Sequence, residues 1–262
     1  MFLFPISDDN ESNTRPYVCY VLICICCFIF LWQSTLPTNL NQEAIYNFGV
    51  IPAAVLGTQT SLIEPYLTIF TSMFMHGGWM HLIGNMVFLW IFGDNIEDSM
   101  GHKKFLAFYL ICGIFAALLQ ISIDPDSTIP MIGASGAIAG LLGAYLVLHP
   151  KANVNVLFWL FIFITVIKVP AFIVLSFWII SQFFSASFGS EGGVAYFAHI
   201  GGFIAGAILI YFFKDSHIKI FQEGNSKSFA SSNMSFGDLL SGSKDRDFMQ
   251  EFIDTANKKD KN

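Results

Sequence analysis

The stretch Gly133-Ala134-Ser135-Gly136 is the most informative part of this chain. It places a serine hydroxyl among small residues at the start of an apolar run. The run that follows, residues 137–148, carries no charge and is typical of a membrane helix. Small residues at such a position let membrane helices pack closely. The stretch is therefore compatible with helix packing alone or with a reactive serine.

A second stretch, Ala198-His199-Ile200-Gly201-Gly202, opens another apolar run about sixty residues further on. The sequence thus places a serine and a histidine at the starts of two membrane helices. A serine hydroxyl is a weak nucleophile until a neighbouring base accepts its proton. We therefore predict that Ser135 and His199 form a catalytic dyad.

Composition indicates an integral membrane protein. Of the 262 residues, 54% are hydrophobic and only 12% are charged, which lies outside the ordinary range of soluble domains. The charges cluster at the ends and in short loops, so the net charge of −6 says little about partners, and no nucleic-acid partner is expected. The five cysteines lie in apolar runs, which argues against a disulfide framework.

Apolar runs between polar loops predict six membrane-spanning helices. They cover approximately residues 17–32, 78–93, 105–123, 135–148, 170–184 and 199–213. The run after the acidic start lacks the features of a secretory signal, so we expect an uncleaved first span. Residues 34–67, with several prolines, are interpreted as a long loop on or in the membrane surface.

Basic residues decide the predicted topology. Three loops contain no lysine or arginine, namely 34–67, 121–131 and 185–197. The thirteen basic residues lie near the N-terminus, in loops 101–104 and 149–169, and from residue 214 onwards. The positive-inside rule then places both termini in the cytoplasm. Ser135 and His199 would both lie at the outer ends of their helices.

Residues 154–169 are apolar and could cross the membrane, but a crossing would separate Ser135 from His199 by most of the roughly 30 Å hydrocarbon core. The segment is rich in β-forming residues. We therefore predict a cytoplasmic-side interfacial or re-entrant segment between spans four and five, for which a β-ribbon is one possible form. The predicted fold class is an all-α membrane protein built as a six-helix bundle.

The predicted organisation has three regions. Residues 1–15 form a polar cytoplasmic tail, residues 16–213 form the membrane domain, and residues 214–262 form a second cytoplasmic tail. The composition of the second tail predicts disorder, with one short amphipathic helix at 245–256. No internal repeat or second globular domain is indicated.

The second span introduces three polar side chains, His76, His81 and Asn85. His81 and Asn85 are four residues apart and share one helix face. Polar groups within a span indicate function, although hydrogen bonding between helices is an alternative that suits Asn85. The five-residue spacing of the two histidines and the lack of a His-Glu-x-x-His motif disfavour a metal site. No cofactor is expected.

Glycines recur at four-residue spacing in both helices that carry the predicted dyad, as Gly136-x-x-x-Gly140 and Gly202-x-x-x-Gly206. Such small-residue faces let two backbones approach closely. A direct serine–histidine hydrogen bond, at about 2.6–3.2 Å, needs that approach. Helix packing without chemistry is the alternative.

Together these motifs resemble the signatures of the rhomboid intramembrane serine proteases. The matching segments are Gly133-x-Ser135-Gly136, Ala198-His199-x-Gly201-Gly202-x-x-x-Gly206, His81-x-x-x-Asn85 and, as a further family feature, Glu97-x-x-x-Gly101. They occur in the family's order and cover about residues 60–213.

The resemblance implies a six-helix bundle with a Ser–His dyad and no acidic third member. Ser135 would be the nucleophile and His199 the base, with an oxyanion hole formed by His81, Asn85 and a backbone N–H at the serine. Two features depart from well-studied members. Ala139 stands where some have a tyrosine stacked on the base, and their Trp-Arg pair in the first outer loop is not evident. Both departures bear on the orientation of His199 and of that loop.

The function implied is that of an intramembrane serine endopeptidase in a bacterial inner membrane. It would cleave transmembrane segments of single-pass proteins within the lipid bilayer, with residues 185–197 as a candidate lid. A proteolytically inactive relative that binds membrane clients is one alternative. A channel or transporter is another, although no repeated halves are evident. The sequence does not indicate an oligomeric state.

Overall fold

The computed structural model describes residues 2–160, 163–188, 194–224, 228 and 231–232. These residues form nine α-helices and four β-strands. The helices are α1 (Tyr17–Thr35), α2 (Thr38–Phe48), α3 (Pro52–Val55), α4 (Pro65–Thr71), α5 (Trp79–Met100), α6 (His102–Ile123), α7 (Ser135–Leu148), α8 (Ala171–Phe188) and α9 (Tyr196–Phe213). The strands are β1 (Phe2–Asp8), β2 (Asn153–Leu160), β3 (Phe163–Pro170) and β4 (Ser231–Ser232).

Apolar helices form the body of the molecule. Among the described residues, three helices are long and apolar enough to cross a membrane, namely α1, α6 and α9. The apolar helices α7 and α8 are shorter, and α5 is long but ends in a turn that carries acidic residues. One hydrophobic core joins α1 and α5–α9. Helix α7 lies inside this bundle, packed against α5, α6, α8 and α9.

Glu97 fixes the start of α1 against the end of α5. Its fully buried carboxylate accepts the backbone N–H groups of Val18, at 2.9 Å, and Cys19, at 2.8 Å. These groups have no partner within the first turn of a helix, so the carboxylate stabilises that end. Gly101 then ends α5 with φ of 78°, a conformation that favours glycine. The resulting sharp turn lets α6 begin at His102 and fold back along α5.

The glycine faces of α7 and α9 are in direct backbone contact. A Cβ atom on Gly202 would collide with the carbonyl oxygen of Gly136, and one on Gly206 would collide with that of Gly140. The two helices run parallel, because corresponding glycines meet in the same order along both. This contact confirms the close approach that the glycine spacing predicted.

A four-stranded antiparallel sheet, in the order β1-β2-β3-β4, lies beside the helices. Strands β2 and β3 form a hairpin in which Asn153 pairs with Pro170. The chain therefore enters and leaves the hairpin at the same place. A β-ribbon was one of the forms that the β-forming residues of 154–169 left open. The fold is mostly helical, and the all-α assignment is corrected to include this sheet.

The first residues of the chain form strand β1, where the sequence was interpreted as a polar tail. The start is apolar in composition, Phe-Leu-Phe-Pro-Ile, and its backbone groups pair with the edge of β2. The acidic residues that follow also bind specific partners. The Asp9 carboxylate accepts the backbone N–H of Asn153 at 2.7 Å and its side-chain amide at 3.0 Å. The carboxylate of Asp8 accepts the Tyr145 hydroxyl at 2.5 Å.

The segment 34–67 contains two helices and the start of a third rather than one long loop. Its prolines were interpreted as breakers, but Pro37 immediately precedes α2, and Pro52 and Pro65 are the first residues of α3 and α4. Proline is favourable at these positions, because its fixed φ suits the first turn and its missing N–H is not needed there.

Two sequence predictions fall wholly or partly on residues that the structure does not describe. The predicted disorder of the C-terminal tail, with its helix at 245–256, lies mostly outside the described residues. Residues 189–193 of the candidate lid lie outside them as well. The flanking helices are longer than predicted, since α8 ends at Phe188 and α9 begins at Tyr196.

Candidate active site

Ser135 and His199 meet at the start of two parallel helices. Ser135 is the first residue of α7, and His199 lies in the first turn of α9. The Oγ atom of Ser135 and the Nε2 atom of His199 are 2.8 Å apart, a good hydrogen-bond distance. The contact between the glycine faces just below holds the two backbones close enough for this bond. The structure thus brings together the two residues predicted to form a dyad.

His81 presents a nitrogen to the backbone beside Ser135. The N–H of Gly77 donates to Nδ1 of His81 at 3.3 Å. Since Nδ1 accepts this bond, the ring proton of the neutral side chain lies on Nε2. A Cβ atom on Gly133 would lie 2.7 Å from that Nε2, and Gly133 has φ of 123°, so only glycine suits this position. His81 therefore places an N–H donor against the segment that precedes the serine.

Asn85 lies one helical turn after His81 and is buried. Within the described part of the chain, its Nδ2 atom has no hydrogen-bond partner. This atom would lie 3.6 Å from a Cβ on Gly133. An unpaired buried donor costs about 1–3 kcal/mol, and such atoms are rare in folded proteins. The amide thus offers a second donor near Ser135, and no bond of Nδ2 to another described helix accounts for its burial.

One cavity of about 880 Å³ contains all four predicted site residues in its wall. Its other lining residues are mainly apolar and come from α5, α7, α8 and the segments before α7 and α9, including Met80, Phe88, Met131, Ile138, Leu142 and Trp178. The volume is within the range of ligand pockets, and a few polar groups in an apolar wall are typical of them.

His76 lies outside this cavity, in the turn before α5. Its backbone N–H donates to Oε1 of Gln33 at 3.0 Å, and its backbone carbonyl accepts Nε2 of Gln33 at 3.1 Å. Its ring packs edge-on against His81, with 5.2 Å between the ring centroids. Burial lowers the pKa of His76 to about 4, so the ring is neutral near pH 7. His76 therefore supports His81 from behind and ties the turn to α1.

Helix α8 adds two residues that the sequence reasoning did not identify. The Oε1 atom of Gln182 lies 2.8 Å from Nδ1 of His199. The ring of Trp178 lies beside the imidazole, with 5.7 Å between centroids and planes inclined by 36°. The available signal was a glutamine in an apolar span, four residues after a tryptophan and so on the same helix face.

The helical bundle, the paired serine and histidine and the glycine contact define the class of protein. Residues 64–216 match the Rhomboid domain family, which is more than half of the chain. The chain belongs to the rhomboid family.

Three of the curated relatives share 28–34% of aligned residues with this chain. Rhomboid protease GluP of Bacillus subtilis (strain 168) is 31% identical over 137 residues, covering 52% of this chain and 25% of that protein. RHOMBOID-like protein 6, mitochondrial, of Arabidopsis thaliana is 34% identical over 139 residues, covering 53% and 41%. Presenilin-associated rhomboid-like protein, mitochondrial, of Homo sapiens is 28% identical over 155 residues, covering 58% and 37%.

The chain spans between about a quarter and a half of the length of the curated relatives it matches. One of these relatives is named a protease, and others carry rhomboid-like names and belong to mitochondria or chloroplasts. The family is therefore established, and the chain is a membrane protein of that family.

Proposed function

We propose that this protein is an intramembrane serine endopeptidase that cleaves transmembrane segments of single-pass membrane proteins. The observation that carries the proposal is the 2.8 Å contact between Ser135 Oγ and His199 Nε2. If Ser135 served only helix packing, no histidine would be needed at this distance. Direct contact of a hydroxyl with a potential base is the arrangement that nucleophilic catalysis requires.

In this mechanism His199 acts first as base and then as acid. Its Nε2 accepts the proton of Ser135 as Oγ attacks the scissile carbonyl, and the imidazolium then protonates the leaving amine. Water attacks the resulting acyl-enzyme in the second half of the reaction, with His199 again as the base. The site must therefore admit water from the outer face.

His81 and Asn85 supply donors for the oxyanion that forms on the scissile carbonyl. His81 carries its N–H at Nε2, because its Nδ1 accepts the Gly77 N–H, and Asn85 has beside Gly133 an Nδ2 atom with no partner among the described residues. Donors fixed in advance stabilise the developing charge without reorganising during the reaction. The polarity of these two groups therefore supports catalysis rather than helix packing.

The apolar cavity wall supports a substrate that arrives from the lipid. Lining residues such as Met80, Phe88 and Leu142 suit an aliphatic or aromatic side chain. The carbonyl groups of an intact helix are hydrogen-bonded within it. A transmembrane substrate must therefore unwind locally before Ser135 can attack.

We further propose six spans, α1 and α5–α9, with both termini in the cytoplasm. The parallel arrangement of α7 and α9 requires one return crossing between them, and α8 supplies it. The hairpin β2–β3 returns to its starting point, since Asn153 pairs with Pro170, and would lie on the cytoplasmic side. The loops 34–67, 121–131 and 185–197 contain no lysine or arginine, which supports their location outside the cytoplasm. The similarity to a Bacillus subtilis relative supports a bacterial inner membrane as the compartment.

The alternative function is binding of membrane client proteins without proteolysis. Rhomboid-like proteins of unstated activity are among the relatives. A client-binding role would not need the serine and the histidine in contact, nor an unpaired amide beside them. The paired geometry therefore favours the protease.

Cleavage of a membrane-anchored reporter in proteoliposomes tests the proposal. We expect Ser135→Ala and His199→Ala each to lower the cleavage rate by at least about 10³-fold, because each removes one half of the dyad. Ser122→Ala is the matched control, since within the described residues the Ser122 hydroxyl donates to a carbonyl of its own helix, Leu119 O, at 2.7 Å. The control should cleave at the parental rate. Retained cleavage by Ser135→Ala would overturn the assignment.

A further inference from the structure

Gln182 is a buried polar side chain in the apolar helix α8. Its Oε1 atom lies 2.8 Å from Nδ1 of His199, the ring nitrogen on the side opposite Ser135. The dyad as proposed assigns this side chain no role. A buried amide in a membrane span is costly unless its groups are paired, so the pairing of both ends of the amide is informative.

The orientation of the Gln182 amide is fixed by its own helix. Its Nε2 atom lies 3.3 Å from the backbone carbonyl of Trp178 and 3.0 Å from Oγ of Ser181. A carbonyl oxygen can only accept, so the amide nitrogen must face it. The Ser181 hydroxyl donates its proton to the same carbonyl at 2.6 Å, which leaves its oxygen free to accept from Gln182. The amide oxygen therefore faces His199.

This orientation determines the tautomer of His199. The amide oxygen of Gln182 only accepts, so the 2.8 Å contact requires the ring proton to be on Nδ1. Nε2 then carries the lone pair that faces Ser135. In the other tautomer, two acceptors would face each other across the same distance. The backbone carbonyl of Trp178 thus specifies, through the amide of Gln182, the form of His199 that can accept a proton.

The same helix also contacts the face of the imidazole. Trp178 lies one turn before Gln182, and its ring is 5.7 Å from that of His199. Ala139, four residues after the serine, is buried and offers only a methyl group. Helix α8 therefore gives the ring one polar and one aromatic contact, and Tyr196 of α9 adds an edge-on contact with 6.3 Å between the ring centroids.

We propose that Gln182 is a positioning residue that holds His199 in the Nδ1–H tautomer with Nε2 directed at Ser135. This inference rests on the proposed function, because it concerns the histidine that serves as base. A neutral amide suits the position, since it orients the ring without burying a second charge within the membrane. The role of an acidic third member is thereby filled by an uncharged acceptor from a different helix.

Kinetics of three variants in proteoliposomes test the proposal. Gln182→Met keeps the length of the side chain but has no hydrogen-bond acceptor. We expect kcat to fall about 10- to 100-fold with KM nearly unchanged, because a poorly oriented base loses part of the rate gain that general-base catalysis provides. Gln182→Glu retains an acceptor. It should keep much more of kcat than the methionine variant and move the acid limb of the pH–rate profile to higher pH, because a carboxylate stabilises the imidazolium. Equal losses in both variants would show that the side chain acts only through packing and would overturn the proposal.

The matched control is Gln120→Met on α6. The Oε1 atom of Gln120 is buried and has no partner among the described residues, and Gln120 does not line the cavity. We expect this variant to retain the parental rate and pH profile. If Gln182→Met behaves in the same way as this control, Gln182 does not position His199.

Nitrogen NMR of ¹⁵N-histidine-labelled protein reads the tautomer without requiring turnover. The spectrum is recorded in the Ser135→Ala background, and the signal of His199 is identified by its loss in His199→Gln. We expect a proton on Nδ1 when Gln182 is present and a mixture of tautomers in Gln182→Met. A proton on Nε2 when Gln182 is present would overturn the inference. Failure of the proposed function would show separately, as cleavage by Ser135→Ala.

Discussion

The carbonyl oxygen of Gly136 faces Gly202 so closely that a Cβ atom on Gly202 would collide with it. One residue before Gly136 is Ser135, and three residues before Gly202 is His199. The contact between the two glycines therefore sets the distance at which the serine and the histidine meet. Helix packing and chemistry are coupled at this point, since any separation of α7 from α9 also lengthens the Ser135–His199 bond.

Gly202→Ala should impair both stability and cleavage. The added methyl group forces α7 and α9 apart, and overpacking of this kind costs about 1–3 kcal/mol. We expect a lower melting temperature in detergent micelles and slower reporter cleavage. Gly84→Ala on α5 is the matched control for melting, because a Cβ built there meets no heavy atom of the described residues within 4 Å beyond its neighbours in the same helix. Alanine also favours a helix over glycine by about 1 kcal/mol. Parental melting and cleavage in Gly202→Ala would contradict the proposed coupling.

Asn85→Ala and His81→Ala should slow turnover without abolishing it. Loss of one oxyanion donor typically lowers kcat by about 10²–10³-fold, and the other donors remain. Asn85→Ala also removes the buried, unpaired Nδ2, so its melting temperature should not fall. The measurements are kcat for reporter cleavage and thermal melting of the same preparations. If both variants cleave at the parental rate, or if Asn85→Ala mainly lowers stability, these side chains serve packing instead.

Stability should depend on pH through His149, which is buried in the turn after α7. Burial lowers the pKa of His149 to about 4, while nearby Asp98 acts in the opposite direction. The unfolded chain binds this proton below about pH 6.5, whereas the folded protein resists it down to about pH 4. The unfolded state therefore binds more protons in this window, and stability falls as the pH is lowered through it.

His149 lowers the free energy of unfolding by about 3 kcal/mol as the pH falls through that window. Melting temperatures of the parent and of His149→Gln, measured from pH 7 to pH 4, test it. Glutamine does not titrate and can still bond the Asn10 amide, which lies 3.2 Å from Nδ1 of His149. We expect a shallower dependence on pH in the variant. Identical slopes for the two proteins would rule out His149 as the source.

Cysteine labelling tests the proposed membrane topology. In a version of the protein without native cysteines, Asp126→Cys should react with an impermeant thiol reagent applied from outside. Lys103→Cys, Lys151→Cys and Lys168→Cys should react only after the membrane is opened. Lys151 lies just before β2, and Lys168 lies near the end of β3. If position 168 reacts from outside and position 151 does not, the hairpin crosses the membrane and the two halves of the dyad start on opposite faces.

The sequence was sufficient for the features that depend on local pattern. The small residues around Ser135, the position of His199 at a helix start and the glycine spacing are all short motifs, and the contact of the two helices follows from them. The β-forming residues of 154–169 left the form of that segment open, with a β-ribbon as one option, and the structure shows a hairpin there. The register of that hairpin, in which Asn153 pairs with Pro170, is visible only in the structure.

The features that could not be predicted depend on contacts between distant segments. Strand β1 is defined by its pairing with β2, about 150 residues away, and a start as short as Phe-Leu-Phe-Pro-Ile carries little periodicity. The prolines of 34–67 fit a helix start as well as a loop. Gln182 belongs to no local motif, and its role arises only where α8 meets α9.

Covalent labelling by a fluorophosphonate tests the central claim most directly, because the reagent reacts with a serine hydroxyl that a base has activated. We predict a single adduct on Ser135, identified by peptide mass mapping of the labelled protein. The adduct should be absent from Ser135→Ala and strongly reduced in His199→Gln, while Ser122→Ala is labelled like the parent. A folded parent protein that takes up no label, or an adduct that persists in Ser135→Ala, would contradict the account.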